Sequence, residues 1–584
     1  MNKSAIQTEL THAIRCHESG DIHQADKIYQ HILVSDPDNV DALHYSGVIA
    51  MQTGNPKAAI QLIGRAIALC PDRSVIHSNL ALAYKENDQF QPALNHYKQA
   101  LTLNPNNPVI YFNIGALCQS YNQFEDARAA YEQSLRLNPN QDLVHHNLGN
   151  LFLKQGDVRA AIQSAQNAMQ LSPEDPKLQS NYLFSLNYSI DHSPEMILDE
   201  HLKWGQKYAP VHKQPFIDLK NQKIRIGYVS PDFRSHPVAT FMDAILRYHD
   251  SSCFDIYCYS NVKRPDHVTN RIKQLKVNWR DIFYLNDHAV CDLIQSDGID
   301  ILVDLAGHSS DNCLMVFARQ PAPIQITYLG YPGTTGLSQV HYRLVDKHSD
   351  PDLTKYCGSE KRLHLPYGFL CYTPSEDAPL ISQKAATKQV TFGSFNNLPK
   401  VNDRVIALWS KILKAKPDSQ LLLKTYGFND GVVQERYLAG FHQHGIDPDR
   451  IQLMGAVQDE KAHLSMYNAV DIALDTFPYN GTTTTCEALW MGVPVITLAG
   501  EHHAARVGES ILFQTGLNVW IARDEAEYIQ KAIYLADRPD DRVYLRQHLR
   551  DWVRQSFLCQ KEQFVRAFEG IVARTKKKHE ARFK

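Results

Sequence analysis

The spacing of hydrophobic positions changes once along the chain, near Ile224. Before that point apolar residues follow a helical spacing, and after it short β-rich runs alternate with helical segments. The runs are IRIGYVS, FDIYCYS, IDILVDLA and IQITYLG in a first set, and VTFGSF, QLLLKT, IQLMG, DIALD and VPVITL in a second. Strands that alternate with helices form parallel sheets. We therefore predict two Rossmann-like lobes that bind ligands outside the carboxyl ends of their strands.

The N-terminal third is an internal repeat with a period of 34 residues. Proline, alanine and a small residue each recur at a fixed position. The prolines are Pro37, Pro71, Pro105, Pro139 and Pro173, the alanines are Ala25, Ala59, Ala93, Ala127 and Ala161, and the small residues are Ala13, Gly47, Ala81, Gly115 and Gly149. Small residues suit close crossings of antiparallel helices, and proline suits the end of the second helix. The pattern resembles the tetratricopeptide repeat and predicts an α-solenoid over residues 1–175.

An array of this kind leaves a concave groove along its length. The groove can hold extended segments of other proteins, or the array can be only a scaffold or a dimerisation module. Residues 176–222 keep a helical pattern without the period and end in a polar stretch, so we assign them to capping helices and a linker. The first lobe then spans residues 223–385. The second spans residues 386–584 and is covered by the last helices, from about residue 525.

The stretch DIALDTFPYNGTTTTCEALWMGVPVITL, residues 471–498, predicts a strand, a tight loop, a helix and a second strand. Its four threonines, residues 482–485, lead into the helix. This order aims backbone N–H groups and hydroxyls at one point, at the positive end of the helix dipole, so it predicts an anion site suited to a diphosphate. The alternative is an ordinary strand-helix-strand unit in which Thr484 and Glu487 form a capping box.

Three loops that follow predicted strands carry further candidate residues. His236 could be a general base or bind substrate near neutral pH, or it could simply be stabilised by Asp232. Lys400, in TFGSFNNLPK, suits a diphosphate leaving group whose negative charge grows during bond cleavage, and an ordinary surface lysine is the alternative. The loop LGYPGTTG, residues 329–336, offers hydroxyls and close backbone approach, or is a plain glycine-rich turn.

Two histidine features and several missing motifs narrow the chemistry. His463 precedes the strand DIALD and could stack on a nucleobase, or it could be a surface or core histidine. The pair His502–His503 lacks the spacing of a metal site, so we predict no metal. The α/β region contains no P-loop, no G-x-G-x-x-G, no G-x-S-x-G and no H-E-x-x-H. A diphosphate ligand without those devices indicates a nucleotide-sugar.

Composition and charge exclude several classes of protein. The net charge is −3, so we expect no general attraction to nucleic acid or to anionic lipid. No run of about 18 apolar residues is present, and the polar N-terminus is unlike a signal peptide. We therefore predict a cytoplasmic protein with no membrane span. The eleven cysteines include no C-x-x-C pair, so neither a disulfide framework nor a zinc site is indicated.

Taken together, these features resemble glycosyltransferase family 41, which includes the O-GlcNAc transferases and the SPINDLY-type proteins. The resemblance is carried by the repeats and by DFRSHP, PAPIQITYLGYPGTTG, TFGSFNNLPK and LDTFPYNGTTTTCEALWMGVPVITLAG. It implies a GT-B fold of two facing Rossmann-like lobes. It also implies an inverting, metal-independent transfer, without a cofactor, from a nucleotide-sugar to Ser or Thr hydroxyls of proteins that thread along the repeat groove. A homodimer is a further expectation.

The resemblance also assigns roles to individual residues. It implies catalytic roles for His236, at the sugar and acceptor end, and for Lys400, on the diphosphate. The implied donor-binding residues are Asn397, Lys400, His463, Thr482, Thr483, Thr484 and Glu487, and the implied residues on the sugar and acceptor side are Gly330, Pro332, Gly333 and Thr334.

The donor is left open by two departures from the O-GlcNAc transferases. Thr482 stands where they have His, and Glu487 stands where they have Asp, so the string GTTTTCE is closer to the SPINDLY type. The first hypothesis is a protein O-glycosyltransferase that uses UDP-GlcNAc. The second keeps the chemistry but uses GDP-fucose, or transfers glucose to Asn. The third is a tetratricopeptide adaptor whose α/β half binds a nucleotide-sugar without turnover.

Overall fold

The computed structural model describes residues 3–209, 222–351, 358–383, 389–457 and 459–581. The chain divides into two compact units, one that ends at Leu151 and one that begins at Phe152. Residues 210–221, which make up most of the predicted linker, and the predicted lobe boundary at residues 385 and 386 lie outside the described residues.

Within the described chain, twelve helices precede the first strand. They are α1 Lys3–Glu18, α2 Ile22–Ser35, α3 Val40–Gln52, α4 Pro56–Leu69, α5 Ser74–Glu86, α6 Phe90–Leu103, α7 Pro108–Ser120, α8 Phe124–Leu137, α9 Asp142–Gln155, α10 Val158–Leu171, α11 Pro176–Leu186 and α12 Pro194–Tyr208. From α3 to α11, alternate helices begin 34 residues apart. The predicted period is therefore confirmed, and it extends one helix beyond the last repeat proline.

The small residues of the repeat lie at close helix crossings, as predicted. The five repeat alanines, Ala25, Ala59, Ala93, Ala127 and Ala161, are fully buried. A Cβ on Gly47 would lie 2.4 Å from Ile63 Cγ1, and one on Gly115 would lie 2.5 Å from the ring of Tyr131, so these crossings leave room only for glycine. The second helix of each repeat ends two residues before the repeat proline.

The first lobe is built on a seven-stranded parallel sheet with the order β3-β2-β1-β4-β5-β6-β7. Its strands are β1 Ile224–Ser230, β2 Phe254–Ser260, β3 Asn278–Asp281, β4 Ile301–Asp304, β5 Ile324–Thr327, β6 Tyr342–Val345 and β7 Lys361–His364. Its helices are α13 Pro237–Tyr248, α14 His267–Lys273, α15 Asp287–Ser296 and α16 Leu314–Ala318.

The second lobe is built on a six-stranded parallel sheet with the order β10-β9-β8-β11-β12-β13. Its strands are β8 Thr391–Ser394, β9 Gln420–Lys424, β10 Ile451–Met454, β11 Ile472–Leu474, β12 Val495–Leu498 and β13 Ile521–Ala522. The helices that follow are α17 Asp403–Ala415, α18 Gly431–Gln443, α19 Glu460–Ser465, α20 Thr483–Trp490, α21 Val507–Gln514, α22 Glu525–Ala536, α23 Pro539–Gln555 and α24 Lys561–Glu580.

Both sheets have a Rossmann-like strand order, so the predicted fold class is confirmed. The strand order reverses between β1 and β4 in the first lobe and between β8 and β11 in the second. Open α/β sheets bind their ligands in the crevice at such a switch point. His236 follows β1, Lys400 follows β8, and the threonine stretch follows β11. The topology therefore brings the main candidate residues to the carboxyl ends of switch-point strands.

Every predicted apolar run contains a strand, and the strands that the pattern missed are short or polar. The missed strands are β3, β6, β7 and β13. Strands β3 (NWRD) and β7 (KRLH) lie at the two edges of the first sheet and are only partly buried. An edge strand contacts the core less than a central strand does, so it lacks the continuous apolar run that marks a buried one.

The last helix differs from its predicted place. Helices α22 and α23 pack on the second lobe, as expected, whereas α24 packs against α13 of the first lobe. The Glu569 carboxylate of α24 accepts hydrogen bonds from His249 and from the backbone N–H of Asp250, and Lys576 pairs with Asp300 at 2.9 Å. None of the described helices has the length and apolar character needed to cross a membrane.

Candidate functional site

Lys400 lies beside the threonine stretch, at the carboxyl ends of two adjacent strands. It ends a single helical turn, Leu398–Lys400, that follows β8. Its Nζ donates a hydrogen bond to the carbonyl oxygen of Asn480 at 2.7 Å and lies 3.9 Å from the centre of the Tyr479 ring. Burial lowers the pKa of Lys400, and the nearby Asp475 carboxylate opposes that shift. The lysine and the loop therefore converge on one place.

Asp475 fixes the shape of the loop that leads to the threonines. Its carboxylate accepts hydrogen bonds from the backbone N–H groups of Thr476 and Gly481, at 2.9 and 2.6 Å, and from the hydroxyl of Thr497 at 2.6 Å. Burial raises the pKa of Asp475, while these donors and Lys400 oppose the rise. A Cβ on Gly481 would lie 2.7 to 2.9 Å from three side-chain oxygens, so the loop requires glycine there.

The threonines present hydroxyls and free helix N–H groups at the start of α20. Thr484 donates its hydroxyl to Asn396 Oδ1 at 3.0 Å. The hydroxyls of Thr482 and Thr483 are half-buried and make no hydrogen bond to any residue that the structure describes. The first-turn N–H groups of a helix have no intrahelical partner, so a diphosphate could accept hydrogen bonds from both kinds of donor.

The two asparagines that precede Lys400, Asn396 and Asn397, lie in different surroundings. Asn396 is buried and contacts Thr484, whereas Asn397, which the resemblance assigns to the phosphates, is exposed beside Lys400. A side chain on this rim could reach a ligand in the crevice, so the donor-binding role of Asn397 stays a prediction.

The capping-box alternative for Thr484 and Glu487 is wrong. The Glu487 carboxylate accepts hydrogen bonds from His463 Nε2 at 3.0 Å and from the Tyr467 hydroxyl at 3.1 Å, not from the helix start. On its other side, His463 Nδ1 contacts the Lys424 ammonium. The ring of His463 is therefore held by its edge, which suits the predicted stacking on a nucleobase.

Lys424 is a residue that sequence reasoning missed. It ends β9, is almost fully buried, and lies 5.6 Å from the centre of the Phe395 ring. Burial lowers the pKa of Lys424, and the Glu487 carboxylate opposes the shift. The sequence did contain a signal for Lys424, because a polar residue ends the apolar run QLLLKT. Asp475 ends the run DIALD in the same way.

His236 is neutral and caps a helix. It is the N-cap residue of α13, its Nδ1 accepts a hydrogen bond from the backbone N–H of Val238 at 3.3 Å, and the Asp232 carboxylate lies 3.5 Å from the same nitrogen. Burial lowers the pKa of His236 to about 4, with a smaller contribution from Arg234. Because Nδ1 accepts, the proton of the neutral ring is on Nε2, which can donate to a ligand.

The first-lobe loop Leu329–Gly336 is braced from within. The Thr334 hydroxyl donates to Glu360 at 2.6 Å, and the backbone N–H of Thr335 donates to the same carboxylate at 2.7 Å. The Pro332 carbonyl accepts from Arg343 at 2.9 Å. Glu360 takes the proton of the Thr334 hydroxyl in this structure, and the role of Thr334 on the sugar and acceptor side stays a prediction.

The glycines of this loop allow close backbone approach, as expected. A Cβ on Gly330 would lie 1.8 Å from the carbonyl oxygen of Leu305, and one on Gly333 would lie 2.9 Å from the Tyr331 ring. These neighbours belong to the protein itself, so the approach that the structure explains is internal packing. A contact of Gly330, Pro332 or Gly333 with the sugar or acceptor stays a prediction.

The His502–His503 pair is not arranged as a metal centre. In the part of the chain that the structure describes, no group of three or more His, Cys, Asp or Glu side chains could hold a metal ion. His503 is buried with its ring 4.9 Å from that of Phe369. Nearby Arg506 is held by Glu509 at 2.7 Å and by the His348 and Gly500 carbonyls.

Comparisons with known proteins agree with this architecture. The family model described as Glycosyl transferase family 41 matches residues 184–390 and 382–568. Several tetratricopeptide-repeat models match within residues 18–179.

Curated relatives match about two thirds of the chain. A protein named "Probable UDP-N-acetylglucosamine--peptide N-acetylglucosaminyltransferase SPINDLY" from Petunia hybrida is 40% identical over 401 residues, which cover 67% of this chain and 43% of the relative. Its namesake from Arabidopsis thaliana is 39% identical over 409 residues, which cover 68% and 45%. The chain thus spans less than half the length of these relatives.

One solved structure matches the whole chain. It is a mutant of the O-GlcNAc transferase of Thermobaculum terrenum, 31% identical, with a TM-score of 0.70 and 99% of each chain covered. The helical array and both lobes of the present structure therefore have counterparts in a single solved protein.

Proposed function

The chain belongs to glycosyltransferase family 41, and from that premise we propose that it transfers a sugar from a nucleotide-sugar to Ser or Thr hydroxyls of proteins. The acceptors would bind along the repeat array, whose groove suits extended segments. The single observation that carries the proposal is the Lys400 ammonium, 2.7 Å from the Asn480 carbonyl and next to the threonine-lined start of α20. A mobile surface lysine would not hold its ammonium 3.9 Å from the centre of the Tyr479 ring.

The proposed reaction is a direct displacement with inversion. The acceptor hydroxyl attacks the anomeric carbon on the face opposite the nucleotide, the bond from that carbon to the diphosphate oxygen breaks, and the diphosphate leaves with the bonding electrons. Negative charge therefore grows on the diphosphate as the bond breaks. Lys400, the hydroxyl of Thr483 and the N–H groups of α20 are fixed donors aimed at that charge, and such preorganised donors stabilise transition states strongly. The Thr484 hydroxyl can join them only by exchanging its bond to Asn396 for one to the diphosphate.

We assign His236 to substrate binding rather than to proton removal. Its Nδ1 lone pair is engaged by the Val238 N–H, and its Nε2 carries the ring proton. In this arrangement the ring can donate a hydrogen bond to a sugar or acceptor oxygen but has no free lone pair to take a proton. The residue that removes the acceptor proton is left unassigned.

The proposal requires neither a metal nor a cofactor, because protein groups take the part that a bound cation plays elsewhere. The Lys400 ammonium and the positive end of the α20 dipole both face the position of the leaving group. The nucleotide-sugar is the donor substrate.

UDP-GlcNAc is the favoured donor, with GDP-fucose as the alternative. The names of the curated relatives, at 39–40% identity, support a UDP-GlcNAc donor. The string GTTTTCE, which is closer to the SPINDLY type, keeps GDP-fucose open, and glucose transfer to Asn is a variant of the same chemistry. An inactive adaptor is disfavoured, because it has no need for a lysine held beside a helix start.

The donor is tested by thermal-shift measurements with UDP-GlcNAc, GDP-fucose, UDP-glucose, UDP and GDP. We expect UDP-GlcNAc and UDP to raise Tm more than the guanine nucleotides do. Transfer of labelled sugar from the protecting donor to proteins of a cell lysate is then followed over time. Protection by GDP and GDP-fucose alone would move the proposal to the alternative donor. Protection without any turnover would support the adaptor.

Three accompanying expectations have simple readouts. A homodimer is checked by size-exclusion chromatography with light scattering. Metal independence is checked by measuring transfer in excess EDTA. The cytoplasmic location is checked by fractionation of the cells that produce the protein.

A further inference from the structure

Tyr479 and Asn480 together define the position of the Lys400 ammonium. The tyrosine ring lies under Nζ at 3.9 Å, and the carbonyl of Asn480 accepts from the same nitrogen at 2.7 Å. Together these two contacts restrict where the ammonium can lie. An ammonium has three N–H donors, so one bond to Asn480 leaves others for a ligand.

Tyr479 is itself supported by a residue from the helices that precede the first lobe. Tyr188, which follows α11 and is 8% exposed, stacks on Tyr479 with ring centres 5.1 Å apart and planes 22° apart. The ring of Tyr479 therefore contacts both Tyr188 and Lys400.

The support of Tyr188 is anchored in an apolar cluster. Tyr188 is buried together with Leu153 and Ala161, and Phe152, Val158, Phe184 and Tyr479 pack against them. Apart from Tyr479, these residues belong to α9, α10 and α11, and Tyr188 lies in the turn after α11. The last helices of the repeat region thus contact Lys400 through two aromatic rings, those of Tyr188 and Tyr479.

We propose that Tyr479, backed by Tyr188, is a positioning residue that holds the Lys400 ammonium in place for the donor diphosphate. The proposal rests on the proposed function. The end of the helical array would then have two roles. It would offer a groove to acceptor proteins, and through Tyr188 it would support Tyr479 at the donor site. Tyr479 acts through Lys400 and need not touch the substrate.

A purely structural role for Tyr479 makes a different prediction, and a double-mutant cycle separates the two. The full-length protein and the variants Tyr479→Leu, Lys400→Met and Tyr479→Leu/Lys400→Met are titrated with UDP and with GDP by calorimetry. A cation over a desolvated aromatic ring gains up to about 2 kcal/mol, so Tyr479→Leu should weaken nucleotide affinity roughly 3- to 30-fold. In the Lys400→Met background the same change should have no further effect, because the group that it positions is gone.

Conservative and distant variants provide the controls. Tyr479→Phe keeps the ring and should bind within about twofold of the wild type, since the ring face provides the contact. Tyr188→Leu removes the support without touching Lys400 and should show a smaller loss that also disappears in the Lys400→Met background. Thermal unfolding of each variant verifies that the protein is folded. If Tyr479→Leu does not fold, the cycle is carried out with Tyr188→Leu.

The outcomes separate the inference from the function on which it rests. If Lys400→Met weakens nucleotide binding and Tyr479→Leu weakens it equally in both backgrounds, Tyr479 has only a structural role and the inference fails while the function stands. If Lys400→Met leaves the affinity unchanged, or if the wild-type protein binds neither UDP nor GDP, the proposed function fails first.

Discussion

Two loops with similar sequences, YPGTTG in the first lobe and YNGTTTT in the second, differ in whether their threonine hydroxyls are bonded within the protein. In the first loop the hydroxyls of Thr334 and Thr335 donate to Glu360. In the second, the hydroxyls of Thr482 and Thr483 find no partner among the residues that the structure describes. A threonine is available for chemistry only where the fold supplies no internal acceptor, and the letters of a motif do not carry that information.

The tyrosines of the two loops differ in the same way. The Tyr331 hydroxyl accepts from Asn187 at 2.7 Å and bonds to His201 Nε2 at 2.6 Å, so it belongs to a buried network. Tyr479 instead presents its ring to Lys400. Satisfied buried polar groups stabilise a fold, whereas unpartnered donors at a crevice cost stability and serve a ligand. We therefore expect changes in the first loop to affect stability and changes in the second to affect donor binding.

The largest expected effect is that of Lys400→Met. Removal of one preorganised donor to a developing negative charge typically lowers the rate about 10²- to 10³-fold, so kcat/KM for sugar transfer should fall by that much. Tm should fall modestly, because the substitution removes the bond to Asn480 and the attraction to Asp475 while it also removes the cost of burying a charge. Lys411→Met, at an exposed lysine on α17, is the control and should leave both quantities unchanged. Full activity of Lys400→Met would remove the second loop from the reaction.

The second effect is acid sensitivity of the first loop. His201 is 1% exposed, its Nδ1 donates to the Ile197 carbonyl, and its Nε2 lies 2.6 Å from the Tyr331 hydroxyl, so the ring is held in a buried place that disfavours its charged form. Burial lowers the pKa of His201 to about 4, below its usual value near 6.5. The neutral ring therefore stabilises the folded state above pH 6.5, and this contribution is lost as the pH falls from 6.5 towards 4, by about 3 kcal/mol in total.

Tm measured between pH 7.5 and 4.5 tests this expectation. The wild-type Tm should fall more steeply with acid than that of His201→Gln, whose amide can keep a hydrogen bond to Tyr331 without titrating in this range. His288→Gln removes an exposed histidine and should follow the wild type. Parallel curves for wild type and His201→Gln would mean that the contact between His201 and Tyr331 does not depend on a neutral ring.

The architecture follows from the sequence because its signals are local. The 34-residue period places alternate helices correctly from α3 to α11, and each buried apolar run contains a parallel strand. The same locality explains the successes at the site. Lys400 and the threonines each follow a buried strand, and the strand order then brings them together.

What the sequence could not give are partners that come from far along the chain. Glu360 lies more than twenty residues beyond Thr335, and Tyr188 lies almost three hundred residues before Tyr479. No period or motif links such positions, so the brace of the first loop and the support of Lys400 appear only in the folded structure. The capping box considered for Thr484 and Glu487 is wrong for the same reason. Nothing in the local sequence indicated that the Glu487 carboxylate would bond to His463 instead.

A smaller effect is expected from Glu360→Gln in the first loop. The substitution keeps the shape but turns one acceptor oxygen into a donor that faces Thr334 or Thr335, so the loop should lose about 1–3 kcal/mol. Tm should fall by a few degrees, roughly 2–4 °C for each kcal/mol. Affinity for UDP or GDP, measured on the folded variant, should stay within about twofold. A loss of affinity without a change in Tm would reverse the assignment of the two loops.

The smallest and most discriminating effect comes from one substitution made in both loops. Thr483→Val removes a hydroxyl that has no described partner, so Tm should not fall, while affinity for the donor nucleotide should weaken about 3- to 10-fold if that hydroxyl bonds the diphosphate. Thr335→Val removes a hydroxyl that donates to Glu360 and accepts from the Leu337 N–H, so Tm should fall while affinity holds. The two variants have the same change in volume and polarity, so only the surroundings can make their readouts differ. If both lower Tm and spare affinity, the start of α20 is structural and the diphosphate must bind elsewhere. If both lower affinity, the first loop also contacts the donor despite its internal bonds.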